Sequence, residues 1–154
     1  SEMCIRDRII EATEDNALER IAPLGTRPHT HSGAVCLAAV EIAELLALKY
    51  VCVFTESGDS VRRVSRLRSS VPILAFTPSE KIRNRLALVW GAETFLVEPV
   101  KHTDQMIKQV EDVVVGLGKL NEGDELVVVA GTPPGVSGST NSLRVHRIGD
   151  PTHN

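Results

Sequence analysis

Two stretches of this chain carry residue types suited to holding an anion. Thr55-Glu56-Ser57-Gly58-Asp59-Ser60 is a small polar loop between an apolar run, Tyr50-Val51-Cys52-Val53-Phe54, and a helical pattern containing Arg62, Arg63, Arg66 and Arg68. A strand–loop–helix junction of this kind aims backbone N–H groups and the positive end of the helix at one spot, which suits a phosphate. Ser57 or Asp59 acting only as a helix cap explains the same residues. The second stretch is Gly131–Asn141, GTPPGVSGSTN, with three glycines and two prolines in eleven residues. Its Ser137-Gly138-Ser139-Thr140 segment offers hydroxyls, N–H groups and close backbone approach. Together the two loops could grip a phosphate from both sides, the longer one folding over as a lid. A wide hairpin connection is the competing reading of the second loop.

Other chemistry finds no support. There is no Gly-x-x-x-x-Gly-Lys-Ser/Thr loop, no Gly-x-Gly-x-x-Gly after a strand and no Gly-x-Ser-x-Gly elbow. His29 and His31 flank Thr30, but no third metal ligand lies at a useful spacing. The expectation is a binding domain with no catalytic residues, no metal and no cofactor of its own.

Alternation of apolar runs and helical patterns supplies the scaffold. Ser32 is expected to cap a helix over Gly33–Lys49 that is apolar on nearly every face and therefore core or subunit contact. Strands are expected at 50–54, 71–76, 93–97, 126–130 and 143–148. Thr77-Pro78-Ser79-Glu80 reads as a capping box opening a helix to about Trp90, and Trp90 itself as core or interface. Thr103 should cap a long helix that stops at Gly118. Leu143 and Val145 alternate with Arg144 and His146, as on an edge strand. The fold class is thus α/β, a three-layer sandwich: a five-stranded, mostly parallel sheet with helices on both faces and an antiparallel edge strand. Residues 1–8 read as an appended or disordered stub, and Ile9–Leu18 as a short helix or the end of a longer one. Residues up to 31 read as helix and linker, 32–149 as the α/β domain and 150–154 as a tail.

The bulk numbers agree with this. The chain has 154 residues, 42% hydrophobic and 24% charged, enough for one domain with a core. Only 3% are aromatic, so the core should be aliphatic. A net charge of −3 argues against a nucleic-acid or membrane-surface partner, and the arginines after residue 61 read as a solvated or interfacial face. No apolar run reaches membrane-spanning length. Three widely spaced cysteines, Cys4, Cys36 and Cys52, fit a reducing cytoplasm, with the last two as inert core residues.

From about Ile9 to Ile148 the chain resembles the C-terminal domain of pyruvate kinase. The likeness is carried by AVCLAAVEIAELLALKYVCVFTESG (34–58), SSVPILAFTPSEKIRNRLALVWGAE (69–93) and GDELVVVAGTPPGVSGSTNSLRVHRIG (123–149). It implies an allosteric, subunit-assembly domain of a cytoplasmic, homotetrameric glycolytic phosphotransferase that makes pyruvate and ATP from phosphoenolpyruvate and ADP. The catalytic barrel, with its Mg²⁺ and K⁺ sites, is absent from this sequence, so the chain alone is expected to be inactive. By motif, Thr55, Glu56, Ser57, Gly58, Asp59 and Ser60 resemble the effector-phosphate loop, and Ser137, Gly138, Ser139 and Thr140 the facing loop. Asp59 stands where many bisphosphate-activated members carry Arg, and the basic contacts to a second phosphate have no match. A sugar monophosphate or AMP is therefore expected rather than fructose 1,6-bisphosphate. A vestigial site in a purely structural oligomerisation domain, and a stand-alone protein binding or acting on a phosphorylated ligand, remain the alternatives.

Overall fold

Three apolar runs, at 51–54, 73–77 and 126–130, form the centre of one five-stranded sheet because each can bury both faces. The computed structural model describes residues 2–17 and 28–151. Helix α1 (Glu2–Ala17) begins well before Ile9 and runs through the segment read as a stub, a stretch with no Gly or Pro. Leu18, residues 24–27 of the expected linker and the end of the tail lie outside the described residues. Then follow α2 (His31–Leu45), β1 (Val51–Phe54), α3 (Asp59–Arg66), β2 (Ile73–Thr77), α4 (Glu80–Leu86), β3 (Ala92–Leu96), α5 (Thr103–Gly116), β4 (Glu125–Gly131) and β5 (Thr140–Arg147).

The strand order is β3-β2-β1-β4-β5, parallel except for the antiparallel β4–β5 pair at one edge. Alternate residues face opposite layers. Val51, Val53, Ile73, Ala75, Val127 and Val129 pack under α2, α3 and α4. Cys52, Phe54, Leu74, Phe76, Leu126 and Val128 pack under α5. The core is aliphatic on the first face. On the second, all three phenylalanines of the chain form one row: Phe54, Phe76 and Phe95 are in register, with ring centroids 5.1 and 5.4 Å apart.

Several local expectations are corrected. The α2 cap is Thr30, whose Oγ1 accepts from Gly33 N at 3.1 Å, not Ser32. That helix stops at Leu45 rather than Lys49, because Ala47 turns left-handed (φ 52°) and Leu48 N donates back to Ala43 O at 2.8 Å. Ser79, not Thr77, caps α4 by accepting from Ile82 N at 3.3 Å. Pro78 precedes that cap, and the helix ends at Leu86 rather than Trp90. His102, not Thr103, is the α5 cap residue, and Gln105 Oε1 accepts from both Lys101 N and His102 N. On β5, His146 is buried and Val145 exposed, because Glu111 of α5 receives the imidazole Nε2 at 2.8 Å and the Gly149 N–H at 2.9 Å. A polar side chain with a fixed partner can occupy an inward position.

Candidate functional site

The order β3-β2-β1-β4-β5 has one switch point. From β1 the chain passes through α3 to β2 on one side; from β3 it returns through α5 to β4 on the other. Crevices for ligands open at such points, outside the carboxyl ends of the strands. The loops after β1 and β4 are the two singled out in the sequence, and here they meet.

After β1, Thr55 is buried and its Oγ1 accepts from Gly58 N at 2.8 Å, folding the loop tightly. Gly58 is the cap residue of α3 at φ 88°, a conformation that favours glycine. A Cβ there would meet Arg62 Nη1 and Leu86 Cδ2, both at 3.2 Å. Neither Ser57 nor Asp59 caps the helix: Ser57 Oγ accepts from Asp59 N at 3.3 Å, and no side chain takes the cap position. The backbone N–H groups of Glu56, Ser57, Ser60 and Val61 consequently have no hydrogen-bond partner among the described residues. Such N–H groups at a helix start are what an anion satisfies.

After β4 the connection is an eight-residue hairpin loop, 132–139, rather than the eleven residues of the sequence stretch. Its base is locked. The register slips between Ala130 and Gly131, leaving Asn141 as a bulge residue. The Asn141 amide then clasps Thr132, accepting from N at 2.8 Å and Oγ1 at 2.9 Å and donating to O at 2.7 Å. Gly131 lies against Ser139, where a Cβ would sit 2.5 Å from Oγ and 3.0 Å from the backbone oxygen. Ser139 Oγ donates to Val136 O at 2.7 Å. Gly135 and Gly138 turn the tip at φ 85° and 80°.

Between the loops is a cleft of about 30 Å³. Of the residues predicted from sequence, Thr55, Glu56, Ser57, Asp59, Ser60, Gly138, Ser139 and Thr140 line it. Gly58 is buried outside that lining, and Ser137 is exposed on the hairpin. Thr140 is not a loop residue: it begins β5 and is buried, and its Oγ1 is hydrogen-bonded to Ser60 Oγ across the cleft.

Gly131 and Val136, both within the second stretch, also line the cleft, and sequence reasoning missed Arg63 as a cleft residue. The signal for Arg63 was there, since it lies one turn beyond Ser60 on the same helix face. The arginines are not one solvated face. Arg62 Nη1 pairs with Asp59 Oδ1 at 3.2 Å and Arg68 sits 4.6 Å over the Trp90 ring. Arg63 and Arg66 have no ion-pair partner among the described residues. Asp59 thus lines the cleft with its carboxylate paired to Arg62. Among the described residues no group of three or more His, Cys, Asp or Glu could hold a metal ion.

Strand order and crevice position define an open α/β domain, covered on both sides, with a narrow cleft at its switch point. The chain belongs to the pyruvate kinase family: the family described as "Pyruvate kinase, alpha/beta domain" matches residues 33–146. Pyruvate kinase of Corynebacterium glutamicum is 45% identical over 145 residues, covering 94% of this chain and 30% of that protein. Pyruvate kinase of Mycobacterium tuberculosis is 46% identical over 143 residues, covering 93% and 30%. The chain therefore spans about a third of the length of these relatives. The structure of Cryptosporidium parvum pyruvate kinase in complex with ADP superposes with a TM-score of 0.71 at 24% identity, over 80% of this chain and 25% of that one, which shows the shared fold. Among the described residues no helix is long and apolar enough to cross a membrane.

Proposed function

We propose that this chain is the effector-binding and subunit-assembly domain of a pyruvate kinase, with a phosphorylated effector held between the Thr55–Ser60 and Gly131–Asn141 loops. The parent reaction is transfer of the phosphoryl group of phosphoenolpyruvate to ADP in glycolysis, in the cytoplasm, by a homotetramer. The Mg²⁺ and K⁺ of that reaction belong to the barrel, and this chain alone turns nothing over. It has no nucleic-acid or membrane partner.

The observation that carries the reading is the convergence of unpartnered N–H groups, hydroxyls and Arg63 at the switch point. One unpaired guanidinium beside two carboxylates, Glu56 and Asp59, suits a single phosphate better than two. That favours a sugar monophosphate or AMP over fructose 1,6-bisphosphate. A cleft of about 30 Å³ has room for roughly one water, so a phosphate enters only as the exposed hairpin tip lifts. The clasp of Asn141 on Thr132 leaves the base as the fixed end of that motion.

The test is a thermal-shift panel on the chain with inorganic phosphate, AMP, glucose 6-phosphate, ribose 5-phosphate and fructose 1,6-bisphosphate. A ligand at 100 times its dissociation constant adds about 2.7 kcal/mol. A shift with one monophosphate, abolished by Ser57→Glu, supports the reading. The competing reading, an assembly domain without a ligand, draws on Leu45 and Leu46, which are 84% and 55% exposed at the end of α2. It predicts no shift from any of the five compounds.

A further inference from the structure

A cavity of about 240 Å³ lies apart from the cleft between the loops. It lies where the chain enters the domain, between the first turns of α2 and the outer face of α3. Arg63 and Arg66 form one wall, and no Asp or Glu is among the described residues that line it. These are the two arginines of α3 that lack an ion-pair partner among the described residues. Cys36 contributes an uncharged thiol, its ionisation pushed up to about 11 by burial. Thr30 offers a hydroxyl, while Pro28 and Leu67 are apolar. Gly33 keeps the space in its present shape: a Cβ there would lie 2.7 Å from Pro28 Cβ and 3.0 Å from Thr30 Oγ1.

Two guanidiniums bordering a concave space with no carboxylate among its described lining attract a dianion, and the arginine fork matches phosphate geometry. We infer that this cavity is a second anion site, taking the phosphate of a small phosphate monoester on Arg63 and Arg66, with the ligand's uncharged body against Pro28 and Leu67. Its volume accommodates a body of sugar size, just below the usual range of small-molecule pockets. Arg63 lines both this cavity and the cleft between the loops, so the two sites share one side chain. The site stands whether or not the loop cleft holds an effector.

Amide chemical shifts of the chain, titrated with inorganic phosphate and then ribose 5-phosphate at constant ionic strength, test this. The expected result is a saturable shift at Thr30–Gly33, with its own dissociation constant. Arg66→Ala should raise that constant at least tenfold and leave any titration at Glu56–Asp59 within about twofold. Arg66 is exposed, so the variant keeps the fold. Ser57→Glu should do the reverse, and Arg63→Ala should weaken both. Shifts confined to Glu56–Asp59 would overturn the second site while leaving the loop site standing. So would equal movement at Thr30–Gly33 with sodium chloride alone, or a titration there that ignores Arg66→Ala. The last pattern would mean that an anion is held there without Arg66.

Discussion

Ser60 and Thr140, eighty residues apart in sequence, share a buried hydrogen bond between their hydroxyls that ties the start of α3 to the start of β5. It closes the cleft floor at the point where the sheet reverses its winding. Removing one partner leaves the other hydroxyl buried and unpaired, which costs about 1–3 kcal/mol, whereas removing both is nearly neutral. Ser60→Ala and Thr140→Val should each lower stability by about that amount, and the double variant by clearly less than the sum. Urea unfolding of the four proteins measures the coupling. Strict additivity would mean that the two loops are held together by something else.

Gly131 tests the hairpin as a lid. A methyl group there collides with Ser139, including its backbone, and overpacking of this kind costs about 1–3 kcal/mol locally. Gly131→Ala should push the hairpin off the cleft, weaken phosphate-ester binding about tenfold and lower the melting temperature by a few degrees. Gly138→Ala meets open space and carries only the penalty of φ 80°, so its effect should be smaller. Calorimetric titration of both variants against the same ligand decides the order.

Asp124 sets an acid limb of stability. Its carboxylate is held below the usual range first by the Asn121 N–H at 2.9 Å and then by Lys49 Nζ at 3.0 Å. A group lowered in the folded state stabilises fully above its unfolded value, about pH 3.9, and that contribution is lost as pH falls through the lower folded value. Thermal melts should therefore show Asp124→Asn less stable than the parent near neutrality, with the two curves converging only as pH falls through the lowered folded value. Lys49→Met should reproduce only part of the difference, since the backbone contact is the larger cause. A constant gap down to the lowest pH would assign the effect to turn geometry instead of charge.

How much of this was legible depends on whether a residue's type or its surroundings sets its role. The end of α5 could be read from Gly118, the left-handed residue (φ 66°) whose N–H returns to Val115 O at 2.9 Å. The end of α2 uses the same geometry, but Ala47 occupies the left-handed position, and alanine carries no such signal. The parallel sheet was readable because β1, β2 and β4 are buried on both faces and so are apolar without a break. The inward turn of His146 was not, because it depends on Glu111, a partner from another element. The two loops were visible as small polar stretches. That they meet depends on the crossing from β3 to β4, and that Arg63 joins them depends on the pitch of α3.

Asp59 decides what the cleft will accept. Its pair with Arg62 is exposed and adds little to stability, of the order of 0–1 kcal/mol. Its charge nevertheless sits on the lining of the cleft, and it engages a guanidinium that would otherwise be available to a ligand. Asp59→Asn removes a negative charge and releases Arg62. For a dianion a few ångströms away in a solvated setting, the change amounts to roughly a three- to tenfold gain in affinity at low salt. The gain should be larger for fructose 1,6-bisphosphate than for AMP or a sugar monophosphate, because only the bisphosphate has a second phosphate for the freed arginine. It should shrink as salt is raised, since the pair is open to solvent. Titrations of parent and variant with both ligand types at low and physiological salt measure this directly. Equal affinities throughout would show that Asp59 points its charge away from the bound ligand, and the preference for a single phosphate would then need another origin.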